Sequence, residues 1–303
     1  MSKKALLLFS GGLDSMLVAK ILLEQDIKVI PVCFKSFFFN CSLAKKSVLN
    51  LGLKLKVIDL SREHLKTVKS PKHGRGKGIN PCVDCHLLMI KKAKEIMLKE
   101  KYDFLATGEV LSERPFSQNR IVFNLAEKEL GLKGLILRPL SAHLLPETIP
   151  EQKKWVKREK LFGISGKSRK PQIVLAEKFG LRDFPSPAGG CILTDVKYSS
   201  KLKELFEKIP DCDGLDCQIL RGGRVFWENG FFLIVGRNEK DNEEIKRLNK
   251  KKDVVLEPDN FSGPTVLIRG FKRKITKKII DKGVELLLSH SKKIPQEIII
   301  EIN

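Results

Sequence analysis

The stretch Ala5-Leu6-Leu7-Leu8-Phe9-Ser10-Gly11-Gly12-Leu13-Asp14-Ser15 decides the fold of this chain. Its five leading apolar residues read as a buried strand, and Met16 to Leu23 repeat apolar residues at helical spacing. The order is therefore strand, glycine turn, helix. Two glycines let the backbone pass close to a bulky anion, and the unpaired N–H groups of the following helix start point at it with favourable dipole sign. Ser10 and Ser15 add hydroxyl donors. Asp14 lies beside the same anion and would be repelled by it without Mg²⁺ to share the charge. No Gly-Lys-Ser/Thr follows, which excludes the phosphate loop of the common NTPases, and a Rossmann Gly-x-Gly-x-x-Gly is absent.

Outward from this turn, Ile27 to Phe34 and Leu53 to Leu60 read as second and third strands, with a helical pattern over Leu43 to Leu51 between them. Such alternation predicts an α/β fold with a doubly wound parallel sheet. Lys66 to Asn80 breaks the pattern with Lys, Gly and Pro and reads as a basic mobile loop. A helix is expected from about Cys85 to Lys99, then the strand Phe104-Leu105-Ala106 ending at Thr107-Gly108-Glu109. Ligands sit at the carboxyl ends of such strands. Thr107, Gly108 and Glu109, with Cys33 and Phe34 at the end of the second strand, therefore join Ser10, Gly11, Gly12, Asp14 and Ser15 as nucleotide-binding candidates. Leu137 to Pro150 and Trp155 to Lys170 show no clear periodicity. Pro185 to Cys191 is a Pro/Gly loop and Ser199 to Ile209 reads as a helix, so the domain boundary is expected near residue 196. Residues 1–195 form the first domain and 196–303 a second, smaller α+β domain. Its expected strands are Gln218 to Leu220, Arg224 to Trp227 and Phe231 to Val235, and Asn229-Gly230 between two apolar runs is a hairpin signal.

The 303 residues hold 57 Lys and Arg against 36 Asp and Glu, a net charge of +21. That balance suits a polyanionic partner such as nucleic acid. Heat-adapted surfaces are also Lys-rich, but in them Glu rises with Lys. No stretch approaches the length of a membrane span, and the apolar run behind Met1-Ser2-Lys3-Lys4 is too short for a signal peptide, so a cytoplasmic protein is expected. Seven cysteines argue for metal or catalytic thiols over a disulfide framework. Cys82 and Cys85 stand as Cys-x-x-Cys at a predicted helix start, where the dipole favours thiolate. Cys191, after Gly189-Gly190, is the third candidate. Three thiolates and one open position suit a 4Fe-4S cluster. Zinc with His86 as fourth ligand, and simple structural burial, are the alternatives. Asp14, Cys82, Cys85 and Cys191 make up the catalytic candidates. Cys33 and Cys41 also read as core residues, and Cys212 and Cys217 have no assigned role.

The turn Ser10-Gly11-Gly12-Leu13-Asp14-Ser15 resembles the PP-loop of the ATP pyrophosphatases, whose fold is of the adenine nucleotide α-hydrolase type. With Thr107-Gly108-Glu109, Ser117-Gln118 and Arg138-Pro139-Leu140, residues 4 to 195 resemble the ATPase domain of the tRNA 4-thiouridine synthetases. The resemblance implies that a uridine carbonyl oxygen attacks the α-phosphate of ATP, pyrophosphate leaves, and a sulfur nucleophile then displaces AMP. No THUMP or rhodanese domain is evident, so sulfur delivery is expected to differ from that of the long bacterial enzymes. The set Cys82, Cys85 and Cys191 is similar to that of the cluster-dependent thiolation enzymes, in which the cluster would present sulfide directly.

Gly230 to Asn238, with Asp241-Asn242-Glu243, Asp253 to Leu256 and Gly263 to Arg269, resembles the RNA-binding domain of the NFACT proteins over about residues 215 to 275. It departs from that pattern at Leu256 and Glu257, where an aromatic and a histidine are usual. The resemblance implies a grip on tRNA. Lys246, Arg247, Lys250, Lys251 and Lys252, and Arg269, Lys272, Arg273, Lys274, Lys277 and Lys278, are the basic segments expected to supply it. A basic domain for homodimerisation is the other reading. Two rival functions remain beside tRNA sulfur transfer: an RNA-modifying PP-loop enzyme with a nitrogen nucleophile, which needs no cysteines, and a non-catalytic RNA-binding factor. The sulfur donor is not legible.

Overall fold

The computed structural model describes residues 2–184 and 191–303. By internal contacts the chain divides into two units, Met1–Thr194 and Asp195–Asn303.

In the first unit the strand β1 (Lys4–Leu8) lies at the centre of the sheet. Ala5, Leu7 and Phe9 enter one hydrophobic cluster and Leu6 another on the opposite face. Burial on both faces is why this strand reads as a continuous apolar run. The glycine turn leads into α1 (Leu13–Leu23), then β2 (Lys28–Lys35), α2 (Ser42–Leu49), β3 (Lys56–Asp59) and α3 (Ser61–Lys69). The chain next forms α4 (Cys82–Lys99), β4 (Phe104–Thr107), α5 (Arg120–Glu129), β5 (Ile136–Leu137), α6 (Ile149–Gln152) and α7 (Lys170–Lys178). The sheet order is β3-β2-β1-β4-β5, and every pairing is parallel. The winding runs outward from β1 through β2 to β3, then reverses to β4 on the other side. A doubly wound sheet opens its ligand crevice at such a reversal, here between the carboxyl ends of β1 and β4.

Three expectations need correction here. The third strand is shorter than its apolar run, because Leu53 and Leu55 pack into the core before pairing begins at Lys56. The supposed mobile loop starts inside α3, whose buried residues His64 and Val68 share one helix face. Its remainder is held down: Asp84 accepts the backbone N–H groups of Lys72 and His73, and Gly76 N–H donates to the Asn80 carbonyl at 2.9 Å. Finally, Cys33 and Cys41 are joined as a disulfide, so neither is a simple core thiol.

The second unit contains α8 (Val196–Lys208), α9 (Gly214–Ile219), β6 (Arg224–Glu228), β7 (Phe231–Val235) and α10 (Glu239–Arg247), then β8 (Val254–Pro258), β9 (Val266–Arg269), α11 (Lys277–Ser289) and β10 (Ile300–Ile302). Its antiparallel sheet runs β10-β8-β9-β7-β6. Leu233 and Val235 point with Leu256, Val266 and Ile268 at Ile279 and Leu287 of α11. The hairpin turn has φ of 50° at Asn229 and 80° at Gly230, the left-handed pair that a two-residue turn of this twist requires. Gln218 to Leu220 does not form a strand. Asp213 caps the N–H groups of Leu215 and Asp216, and Asp216 returns a bond to the Asp213 N–H, so this capping box makes the segment helical.

Candidate nucleotide and thiol site

The glycine turn is built for close approach. Gly11 has φ +82° and a Cβ there would stand 2.6 Å from the Ala44 backbone, so no other residue fits. Gly12 starts α1 without any side-chain cap, which leaves the first-turn N–H groups free for an anion. The hydroxyls are partly committed to the loop itself. Ser15 donates to the Gly12 carbonyl at 2.8 Å and accepts from the Gly11 N–H at 3.2 Å, while Ser10 accepts from the Gly12 N–H at 3.2 Å. Ser10 is exposed and able to turn to a ligand; Ser15 is buried and shapes the turn. Across the crevice, a Cβ on Gly108 would lie 2.8 Å from the Ser15 nitrogen, so β4 ends directly against the start of α1.

Asp14 points one carboxylate oxygen, Oδ1, into a buried position with no hydrogen-bond partner. Burial raises its carboxyl above the usual range, while Arg169, Gln172 and Arg114 pull it back. Glu113 is raised as well, by its own burial and by the charge of Asp14. In its hydrogen-bonded orientation the buried Gln118 amide donates to Glu113 Oε2 at 3.2 Å and to the Val110 carbonyl at 3.1 Å. Arg114, Arg169, Gln172 and Glu113 were not legible as site residues, because their meeting with Asp14 depends on tertiary structure alone.

Glu109 is buried, and both of its oxygens are taken. His86 Nδ1 lies 3.0 Å from Oε1, and Arg138 Nε and Thr107 Oγ1 lie 3.0 and 3.1 Å from Oε2. Burial alone would raise this carboxyl; Arg138 and His86 outweigh it and hold it down to about 2. Arg138 also bonds Glu127 at 3.0 Å and covers the Phe123 ring at 3.9 Å. With every oxygen committed, Glu109 ties elements together. His86 is engaged by Glu109 through one ring nitrogen, which leaves only Nε2 to any metal. Phe34 is packed in the core and Cys33 is in the disulfide, so at these positions only the backbone is open to a nucleotide.

Cys82 and Cys85 both lie in the first turn of α4. The Asn80 amide donates to Cys82 Sγ at 3.1 Å. Burial pushes the Cys85 thiol up, and the charges of Cys191 and Cys82 push it the same way. Just after Cys191, the Leu193 carbonyl accepts from the N–H of Ile79, which precedes α4, at 3.1 Å. The Gly189-Gly190 turn lies outside the described residues, and among those described no three His, Cys, Asp or Glu side chains gather to hold one metal ion. Chain neighbours, one hydrogen bond and one close backbone approach link the Cys85 thiol to the glycine turn: Cys85 precedes His86, His86 bonds Glu109, and the neighbouring Gly108 packs against Ser15.

A parallel sheet with an uncapped glycine turn at its reversal point gives the first unit the doubly wound architecture in which ligands bind at the carboxyl ends of the strands. Residues 1–149 match the family described as thiamine biosynthesis protein (ThiI), and residues 223–303 match the NFACT protein RNA binding domain. The tRNA-specific 2-thiouridylase MnmA of Symbiobacterium thermophilum is 25% identical over 233 residues, covering 67% of this chain and 56% of that protein. The MnmA of Sulfurimonas denitrificans is 35% identical over 118 residues, covering 36% of this chain and 35% of its own. The chain thus spans about half the length of the first relative and a third of the second. Among solved structures, the U34-tRNA thiolase NcsA of Methanococcus maripaludis with its 4Fe-4S cluster is similar at 19% identity over 96% of this chain and 84% of that one, with a TM-score of 0.35. A likeness that loose carries no argument about activity. Among the described residues no helix is long and apolar enough to cross a membrane.

In the second unit the basic segments are less free than their sequence implies. Arg269 is buried at 1% exposure and bonds Asp216 at 2.8 Å and Asp253 at 2.6 Å, which removes it from any RNA-facing surface. Lys250 bonds Asp213 and Asp216, Lys246 bonds Glu257, and Arg247 bonds Glu244. Lys251, Lys252, Lys274, Lys277 and Lys278 are exposed and make no ion pair among the described residues.

Proposed function

We propose that the chain is an ATP-dependent tRNA sulfurtransferase, which adenylates a uridine carbonyl oxygen and replaces that oxygen with sulfur. One observation carries this reading: the path from Cys85 through His86, Glu109 and Gly108 to Ser15 fixes a thiol-bearing helix start beside an uncapped phosphate turn. The ThiI match over 1–149 and the likeness to 2-thiouridylases support it.

The α1 N–H groups, with Ser10, bind the β and γ phosphates of ATP. Glu109 stays ionised and holds Arg138 and His86 in place, and Gly108 keeps β4 clear of the phosphate path. Asp14 Oδ1, buried and without a donor, fits a cation, and Mg²⁺ held there supplies neutralising charge to the phosphates. The free thiols of Cys82, Cys85 and Cys191 have the donor chemistry of a 4Fe-4S cluster's three protein ligands, and such a cluster when bound would supply an iron open to sulfide. Uridine oxygen attacks the α-phosphorus, the bond to the bridging oxygen breaks, and pyrophosphate departs. Sulfur then adds at the activated carbon and AMP leaves with the former carbonyl oxygen. The test is mass spectrometry of nucleosides from unmodified tRNA incubated with the protein, ATP and sulfide under anaerobic conditions. A thiouridine product is expected; its absence with cluster-loaded protein contradicts the assignment.

A further inference from the structure

The second unit carries an aromatic patch that the proposed reaction does not use. Trp227, in the edge strand β6, meets Phe232 edge-on at 5.3 Å between ring centroids and 67°. Its ring lies nearly parallel to that of Phe271, at 6.3 Å and 13°. Phe232 is buried, while Trp227 and Phe271 are both half-buried at the sheet's rim. Phe271 has φ +54°, a left-handed backbone that a bulky side chain rarely adopts, and the Arg273 N–H bond to the Gly270 carbonyl at 2.8 Å closes the turn that keeps it there. Strain of this kind persists where the placement of the ring is over-determined by its surroundings. The Trp227 indole N–H is buried without a hydrogen-bond partner, so the ring is positioned by packing alone.

One cation lies over the Trp227 ring, and others follow Phe271 along the chain. Lys208 Nζ stands 5.4 Å from the Trp227 centroid. Arg273 donates to the Asn229 carbonyl at 2.6 Å, folded over Gly230 of the hairpin. Lys274, Lys277 and Lys278 follow, exposed and unpaired among the described residues. We propose that Trp227 and Phe271 form a stacking platform for an unpaired base of RNA, with Lys208, Arg273 and Lys274 taking the flanking phosphates. The proposal rests on the reading of this chain as a tRNA-modifying enzyme. An acidic peptide would use the cations and leave the rings idle, whereas a nucleotide uses both, through its π-face and its phosphate. Paired bases already stack within a duplex, so the platform selects single-stranded segments.

The full chain has two tryptophans, Trp155 and Trp227, so a Trp155→Phe background isolates the signal of Trp227. Titration with oligouridine is expected to quench that fluorescence saturably, and a fully paired RNA of equal length is expected not to. Trp227→Leu and Phe271→Leu are expected to weaken oligouridine binding at least about fivefold, with Trp227→Phe close to the parent, since stacking depends on the ring face. Thermal unfolding of each variant checks that its second unit is intact. Unchanged affinity in folded Trp227→Leu and Phe271→Leu proteins, or equal quenching by duplex or by an acidic peptide, overturns the platform while leaving the tRNA reading standing. If the parent binds neither oligouridine nor tRNA, the RNA-binding reading of the second unit fails, and the platform with it.

Discussion

In the proposed reaction, Asp14 is the residue on which ATP cleavage depends most directly. Its unpartnered buried oxygen contributes nothing to folding that an apolar group would not. Asp14→Ala is therefore expected to abolish pyrophosphate release with no loss of thermal stability; normal turnover in that variant would contradict the phosphate-site assignment. His64 makes a separate prediction about stability. Burial pushes it down to about 4, between the rings of Phe38 and Phe39, with Nε2 lacking a partner. A histidine buried neutral gives full stability above its unfolded pKa, near 6.5, and loses it as pH falls from there toward 4. The loss amounts to about 3 kcal/mol from a shift of that size. Denaturant titrations across this window should show a steeper decline in the parent than in His64→Phe; parallel curves would exclude the effect. At this scale the sequence was legible only where a motif is local. Ser10 to Ser15 could be read as a unit, but Glu109 and Arg138 are 29 positions apart and nothing local announces their bond. Arg269, counted among the RNA-facing cations by its neighbours in sequence, is a buried partner of two aspartates.

The elements followed periodicity where burial was two-sided or strictly amphipathic. β1, β2 and the β6–β7 hairpin could be read from their apolar runs and the Asn229-Gly230 turn. The error at Gln218 to Leu220 arose because three apolar-rich residues look alike in a strand and at a helix end, and the deciding signal was the Asp213 and Asp216 capping box upstream. Helix α4 begins at Cys82 and not Cys85, which brings both thiols into the first turn. The junction of β4 with α1 yields a prediction about elements. A Cβ on Gly108 would meet Ser15 N at 2.8 Å and the Asp14 carbonyl carbon at 3.0 Å, both backbone atoms that cannot swing aside. Gly108→Ala should therefore push β4 from the start of α1 and lower ATP affinity about tenfold or more by calorimetry, a shift of roughly 1.4 kcal/mol. Affinity within twofold of the parent would show that the junction does not set the phosphate site.

For the whole molecule, charge and division into two units matter most. A net charge of +21 was legible at once, but which cations are available was not, because Lys246, Arg247, Lys250 and Arg269 are each paired with a carboxylate. Of the lysines left exposed and unpaired among the described residues, Lys274, Lys277 and Lys278 are expected to contact phosphate. Replacing all three by Ala in the full chain should reduce the slope of log affinity for tRNA against log salt by roughly 2, since each phosphate contact releases counterions. An unchanged slope would place the grip elsewhere. The central claim is that ATP cleavage at the α-phosphorus is coupled to a tRNA nucleophile, and the most direct measurement is AMP and pyrophosphate release with and without unmodified tRNA. Equal amounts of both products are expected when tRNA is present, and neither without it or in Asp14→Ala. ATP left intact in the presence of tRNA, or cleaved equally in its absence, would contradict it.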